Sequence, residues 1–145
     1  MQRFQSPHQR MLVIGLTGGI ASGKSTTSKL LSNAHRIPVI DADFLAMQAV
    51  SPGTRGLSRV VAAFGPSVLL PDGSLDRKKL GTVIFHNEER RRALNSIVHP
   101  AVKWAMVKAV VKCWVTGAKV CVLDVPLLIE TGLWRWVGKV VLVYW

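Results

Sequence analysis

Acidic residues are scarce in this chain. Its 145 residues include eight Asp and Glu against 19 Lys and Arg, which gives a formal net charge of +11 at pH 7 and a pI of about 10.5. Such an excess of positive charge suggests polyanionic partners. Phosphorylated small molecules would account for it as well as nucleic acids would. The basic runs Arg77–Lys79 and Arg90–Arg92 fall within predicted helices, as solvated faces without interleaved aromatic residues. We therefore expect no specific nucleic acid as a partner.

Cysteines and long apolar runs are also few. The spacing of Cys113 and Cys121 fits neither a C-x-x-C redox pair nor a zinc site, so we expect two free thiols in a reducing compartment. Charged residues or glycine interrupt every apolar stretch well before bilayer-spanning length, which predicts no membrane span. We expect a cytoplasmic location, and a mitochondrial association stays open because the first ten residues contain Arg3 and Arg10 but no acid. The oligomeric state is left open.

The remaining composition predicts a folded chain. A hydrophobic fraction of 49% with 19% charged residues excludes a disordered protein. A chain of 145 residues is long enough for one compact domain with a core and too short for two of ordinary size. We therefore predict a single domain over residues 1–145.

The most specific motif begins at Gly18. Residues 18–25 read G-G-I-A-S-G-K-S and fit G-x-x-x-x-G-K-[ST], the phosphate loop, directly after an apolar run that predicts a buried strand. The glycines allow successive backbone N–H groups to point at phosphate oxygens, where the start of the next helix adds its partial positive charge. Lys24 would then reach the β- and γ-phosphates, and Ser25 would hold Mg²⁺. The motif predicts binding of a nucleoside triphosphate.

Four apolar runs alternate with helical periods, which predicts a parallel α/β sheet. The strands are predicted at residues 11–16, 38–40, 119–124 and 139–144, each buried between helix layers. The first helix is predicted from Gly23 to about His35, and a helical insertion from Phe44 to about Thr116. The last helix of the insertion is predicted to follow His99, with Pro100 in its first turn and a cap at Gly117.

Three of the eight acids stand at predicted carboxyl ends of strands: Asp41, Asp43 and Asp124. Ligands bind at this edge of open parallel sheets. Phosphoryl transfer to a hydroxyl needs one carboxylate to orient the acceptor and take its proton, and another to help hold Mg²⁺. Asp41 and Asp43 are candidates for the first role and Asp124 for the second. Structural roles remain open for each: Asp41 or Asp124 capping a helix, and Asp43 in a first turn.

In their order and spacing, these motifs resemble those of the dephospho-CoA kinases. The resemblance rests on the loop with its strand, I-D-A-D at 40–43, His99-Pro100 and D-V-P-L-L-I-E at 124–130. It covers residues 11–145, with residues 1–10 as an N-terminal extension. It implies a P-loop nucleoside triphosphate hydrolase fold that is adenylate-kinase-like, with a parallel sheet flanked by helices, a helical insertion and a lid. The implied reaction is ATP-dependent phosphorylation of the ribose 3′-hydroxyl of dephospho-CoA, the last step of coenzyme A synthesis.

The resemblance also implies a role for each matching residue, with ATP and dephospho-CoA as substrates. Asp43 would be the base toward the 3′-hydroxyl, with Asp41 in reserve and Lys24 acting on the phosphates. Ser25 and Asp124 would hold Mg²⁺. Acceptor-side residues would be His99, Pro126, Leu127 and Leu128, although a histidine at such a position more often bonds backbone or packs. The ATP phosphates would be held by Gly18, Gly19, Ile20, Ala21, Ser22, Gly23, Lys24, Ser25 and Thr26.

Two departures from the family pattern bear on activity. Family members usually carry arginine four residues after the second Asp of D-A-D, where this chain has Met47, and a thioether cannot replace a bidentate guanidinium. They also continue through an arginine-bearing lid and a fifth strand, whereas this sequence stops at Trp145. Arginines over the transferring group contribute about three to five orders of magnitude in rate. We therefore expect a C-terminally truncated chain with uncertain activity; a catalytically silent nucleotide-binding module and another small-molecule P-loop kinase are the alternatives.

Overall fold

The computed structural model describes residues 10–19, 21–125, 135 and 137–144. The described chain contains four strands, five α-helices and one 3₁₀ turn. In chain order these are β1 (Leu12–Gly18), α1 (Lys24–Asn33), β2 (Val39–Asp41), α2 (Ala42–Ala49), α3 (Arg55–Phe64), the 3₁₀ turn (Pro66–Val68), α4 (Arg77–Phe85), α5 (Glu88–Val115), β3 (Val120–Asp124) and β4 (Lys139–Val143). None of the helices described is long and apolar enough to cross a bilayer.

The four strands form one parallel sheet in the order β2-β3-β1-β4. This confirms the predicted parallel α/β sheet. In β3 the four residues Cys121 to Asp124 are all buried, and because successive side chains of a strand point to opposite faces, both faces of this strand are covered. The adjacent strand β1 contributes Leu16 to the hydrophobic core, where its side chain is 1% exposed.

The prediction that every strand is buried is wrong for β4. Its residues Lys139 to Leu142 are exposed, and Leu142 is 55% exposed. Strand β4 lies at the edge of the sheet and pairs only with β1 among the described strands. An apolar run predicts a strand, but its burial depends on whether helices cover it, which the run itself does not encode.

The described residues divide into two compact units. One comprises the residues up to Ala42 together with those from Lys108 onward, and it contains the sheet and α1. The other, Asp43–Val107, is helical. Its core consists of the buried residues Val50, Val60, Val68 and Leu80, with Phe64, Leu75, Ile84, Leu94, Ile97 and Val98 packed against them. The helical segment between β2 and β3 agrees with the predicted insertion.

Helix α5 begins earlier than predicted. It runs from Glu88 to Val115 with Pro100 in its interior, so the prediction that this helix follows His99, with Pro100 in its first turn, is wrong. A proline inside a helix costs about 3 kcal/mol because its ring removes one hydrogen bond and crowds the preceding turn. The apolar positions 94, 98 and 102 continue one helical face across the proline, and Leu94 and Val98 pack on the helical core. Packing of Leu94 and Val98 before the proline and the burial of Met106 after it therefore sustain the helix.

The end of α5 follows the prediction. Gly117 has φ +84°, in the left-handed region that favours glycine. The Ala118 N–H donates to the Cys113 carbonyl at 2.9 Å, and the Gly117 N–H donates to the Trp114 carbonyl at 3.1 Å. These two bonds are the Schellman pattern, so Gly117 ends the helix and directs the chain into β3.

Candidate nucleotide-binding site

The loop between β1 and α1 has a constrained backbone. Ala21 has φ +62° and Gly23 has φ +84°, and the Ser22 N–H donates to the Gly19 carbonyl at 3.2 Å. A left-handed conformation costs a residue with a Cβ about 1–2 kcal/mol, so the loop holds Ala21 against its own preference. At Gly18 an added Cβ would lie 2.6 Å from Ser22 Oγ and 2.7 Å from the Val143 carbonyl oxygen, so only glycine fits there.

Helix α1 begins without the usual compensation for its free N–H groups. Its N-cap, Gly23, has no side chain to accept a hydrogen bond, and the first turn carries no acid. The first N–H groups of a helix lack intrahelical partners and carry the positive end of its dipole. They belong to a segment that lines a cavity of about 400 Å³, whose walls are Gly19, Ala21, Ser22, Gly23, Lys24, Ser25 and Thr26. This helix start suits an anion.

The cavity unites most of the predicted nucleotide-binding residues. Seven of the nine line it; Gly18 is the last residue of β1, and Ile20 lies outside the described residues. The phosphate loop was therefore predictable almost residue by residue, because its motif prescribes a backbone shape rather than a long-range contact.

One buried carboxylate connects α1 to the sheet. The Lys24 ammonium forms an ion pair with Asp124 Oδ1, and Ser28 Oγ donates a hydrogen bond to Asp124 Oδ2 at 2.6 Å. Asp124 ends β3 and is 5% exposed. The structure thus brings together Lys24 and Asp124, which are 100 positions apart. Ser28 was not predicted; its signal in the sequence is its position one helical turn after Lys24, on the same face.

The predicted strand-end acids divide into two cases. Asp41 ends β2 and pairs in register with Asp124 at the end of β3, so the prediction is confirmed for both. Asp43 takes the alternative that was left open for it, because the backbone turns into α2 at Ala42 and places Asp43 in the first helical turn. Asp41 and Asp43 are both exposed. The two carboxylates therefore do not project from one extended segment.

Roles were also predicted for residues beyond the loop and the strand ends. His99 is exposed on α5, and Met47, on α2, is 50% exposed. Pro126, Leu127 and Leu128 lie outside the described residues. Their roles stay predictions.

The donor set at the loop fits a nucleotide with Mg²⁺. Ser22 Oγ is buried and has no hydrogen-bond partner within the described chain, and the start of α1 offers uncapped N–H groups. Mg²⁺ prefers oxygen ligands and, on phosphates, needs only one or two from the protein. Ser25 and Asp124 offer a hydroxyl and a carboxylate. No group of three His, Cys, Asp or Glu side chains that could bind a metal occurs in the described part of the chain.

Together these features define the class of protein to which the chain belongs. A glycine-rich loop joins the first strand of a parallel sheet to a helix, and an acid ends the neighbouring strand beside the loop lysine. This is the arrangement of P-loop nucleotide-binding proteins. Within this class, the family model for dephospho-CoA kinase matches residues 12–145. The chain belongs to the dephospho-CoA kinase family.

Individual relatives agree with the family match. The chain is 52% identical over 133 residues to a dephospho-CoA kinase of Geobacillus kaustophilus, with 92% of this chain and 66% of that protein covered. Identity to the dephospho-CoA kinase of Saccharomyces cerevisiae is 47% over 126 residues, with 85% and 52% covered. The chain therefore spans 52–66% of the length of these two curated relatives.

Solved structures show the same fold. A dephospho-CoA kinase from Campylobacter jejuni superposes with a TM-score of 0.71 at 26% identity, covering 90% of this chain and 64% of that one. A protein from Thermus thermophilus gives a TM-score of 0.76 at 34% identity, covering 92% and 65%. The predicted P-loop fold and the family resemblance are confirmed.

Proposed function

We propose that this chain carries the phosphate-binding part of a kinase that transfers the γ-phosphoryl group of ATP to the 3′-hydroxyl of dephospho-CoA, giving coenzyme A. The observation that carries the proposal is the Lys24–Asp124 ion pair beside a helix start that no side chain caps, in a chain of the dephospho-CoA kinase family. The acceptor is inferred from the relatives, which are dephospho-CoA kinases.

On the donor side, the loop and the start of α1 supply positive charge. The first turn of α1 carries no acidic residue that would neutralise it. Backbone N–H groups at the start of α1 would bind phosphate oxygens, and Lys24 would neutralise the β- and γ-phosphates. Because Lys24 is ion-paired with Asp124, its ammonium must turn at least partly from the carboxylate toward the nucleotide. Ser25 and Asp124 would hold Mg²⁺, which when bound neutralises the charge on the β- and γ-oxygens.

On the acceptor side, Asp43 is the proposed base, with Asp41 in reserve. As the bond from the 3′-oxygen to the γ-phosphorus forms and ADP leaves, the carboxylate accepts the hydroxyl proton. His99, Pro126, Leu127 and Leu128 are proposed to line the acceptor. Support comes from the family membership and from the carboxyl edge of the sheet, where Asp41 lies and Asp43 follows two positions later.

Product formation tests the proposal directly. The purified chain is incubated with Mg-ATP and dephospho-CoA, and coenzyme A is quantified by mass spectrometry beside the longer Geobacillus kaustophilus enzyme. We expect coenzyme A from the chain, and an Asp43→Asn variant with kcat lower by about 100-fold or more. Asp72→Asn, at an exposed turn, is the matched control and leaves kcat unchanged.

Other outcomes separate the alternatives. Transfer to a nucleoside without transfer to dephospho-CoA would identify another small-molecule kinase. ATP binding without any transfer, while the longer relative is active, would make this chain a nucleotide-binding module only.

We also propose that the protein works in a reducing compartment, the cytoplasm. Support comes from Cys113 and Cys121, both free thiols. Imaging of the whole protein fused to a fluorescent reporter tests this, and mitochondrial fluorescence would contradict it.

A further inference from the structure

Asp124 is held by two successive turns of one helix. Lys24 and Ser28, four residues apart on α1, contact different oxygens of its carboxylate. The side chain of Asp124 is 7% exposed and that of Lys24 is 16% exposed. All three residues belong to the same compact unit.

Nucleotide binding changes the needs of this carboxylate. When Lys24 turns toward phosphate, Oδ1 loses its cation, and a buried carboxylate without partners is strongly unfavourable. Ser28 is the other hydrogen-bond donor to this carboxylate among the described side chains. Its bond to Oδ2 does not compete with phosphate, because it occupies the other oxygen. Ser28 therefore keeps the carboxylate partnered and fixes its rotation while Oδ1 is released.

We propose that Ser28 is a positioning residue for Asp124: its hydroxyl holds Oδ2 so that Oδ1 passes from the Lys24 ammonium to the water shell of nucleotide-bound Mg²⁺. This inference rests on the proposed ATP binding and adds a residue that acts through another. Removing the hydroxyl frees the carboxylate to rotate, so the coupling between Mg²⁺ and nucleotide weakens. Without metal, nothing replaces the Lys24 ammonium at Oδ1, so the ion pair persists and affinity for the nucleotide rests on the N–H groups of the loop; this affinity stays unchanged.

Titration calorimetry measures the inference through ATP affinity with Mg²⁺ and with EDTA. In the unmodified chain we expect Mg²⁺ to strengthen ATP binding. In Ser28→Ala we expect this strengthening to fall by about tenfold, the effect of one hydrogen bond to a charged group, with affinity in EDTA unchanged. Ser28→Thr keeps the hydroxyl, so it should keep the strengthening of ATP binding by Mg²⁺ that the unmodified chain has. Ser32→Ala, an exposed serine one turn further along α1, is the matched control and changes neither affinity.

A purely structural role for Ser28 predicts a different pattern. Equal loss of affinity with Mg²⁺ and with EDTA, or full Mg²⁺ coupling in Ser28→Ala, would overturn the inference. Should Ser28→Ala fold poorly, the Asp124→Asn background provides the second test: there, adding Ser28→Thr or Ser28→Ala should give the same Mg²⁺ coupling, and a difference between them overturns the inference.

The two proposals fail in different ways. Coenzyme A formation with full Mg²⁺ coupling in Ser28→Ala contradicts the role of Ser28 and leaves the proposed function standing. Reduced coupling in a chain that forms no coenzyme A contradicts the proposed function and supports the role of Ser28. An unmodified chain whose ATP affinity does not respond to Mg²⁺ contradicts the role of Ser28.

Discussion

At the scale of residues, the site depends on the ion pair between Lys24 and Asp124. Lys24 stands between the loop and Asp124, so the same ammonium that would bind phosphate also neutralises a buried carboxylate. Its contribution to stability and its contribution to binding therefore reside in one side chain, and they are separable by measurement.

Replacing Lys24 with Met should affect both quantities. Among the described side chains Asp124 would keep the bond from Ser28 alone, and we expect the free energy of unfolding to fall by about 3 kcal/mol in urea titrations. ATP affinity should fall at least about tenfold, because one charged contact to phosphate is lost. Lys29→Met, at an exposed lysine of the same helix, is the control and should change stability by less than about 0.5 kcal/mol. Unchanged stability in Lys24→Met would show that the pair contributes nothing net.

The two thiols should differ in reactivity. Burial, and secondly the neighbouring Cys113, raises the pKa of the Cys121 thiol to about 12 from its ordinary 9.0. The folded state holds this proton more tightly than the unfolded state, so its contribution to stability is full below pH 9 and is lost between about pH 9 and 12.

At pH 8 we accordingly expect iodoacetamide to modify the half-buried Cys113 and to spare Cys121 in the folded chain. Peptide mass spectrometry with and without urea measures this, with Cys113→Ser as control. Modification of Cys121 at the rate of Cys113 without urea would contradict the buried position.

At the scale of elements, the junction of α2 and α3 shows how closely two helices can be joined. The Thr54 hydroxyl accepts a hydrogen bond from the Leu57 N–H at 3.2 Å, and its single proton is shared between the Ser51 and Ala49 carbonyls, at 2.7 and 3.0 Å. Gly56, in the first turn of α3, lies directly against the Ala49 carbonyl. The cap and the glycine together bring the two helix ends into contact.

Two helical glycines should respond oppositely to alanine. A Cβ on Gly56 would lie 2.0 Å from the Ala49 carbonyl oxygen, a backbone atom that cannot rotate away, so Gly56→Ala should destabilise by about 2 kcal/mol or more. Gly81, in α4, has open space around its Cβ position, so Gly81→Ala should stabilise by about 0.5–1 kcal/mol through helix propensity. Urea unfolding followed by circular dichroism measures both. A stabilising Gly56→Ala would contradict the close approach.

At the scale of the whole molecule, the described part of the sheet has an exposed strand, β4, at one edge. The apolar residues Val140, Val141 and Leu142 of β4 are each at least 42% exposed. Unpaired strand edges with apolar side chains pair readily with other chains. Association of the 145-residue chain is the expected consequence.

Sedimentation velocity should therefore show association of the chain that grows with concentration. Val141→Lys places a charge on β4 and should weaken this association by about tenfold. Val115→Lys, the same substitution at an exposed valine of α5, is the control and should leave the association unchanged. Association that is insensitive to Val141→Lys would place the contact elsewhere.

The sequence by itself determined the phosphate loop, the parallel sheet and the family. The loop motif prescribes local backbone shape, and four apolar runs separated by helical periods admit few arrangements. The Gly117 cap was predictable for the same local reason. Tertiary structure alone decided the partners of Asp124, the exposure of β4 and the continuity of α5 through Pro100. Each of these depends on which distant residues pack together, and a carboxylate at the end of a strand has many possible donors until α1 is laid beside it. Ser28 and Lys24 meet Asp124 only because β1 and β3 are neighbours in the sheet.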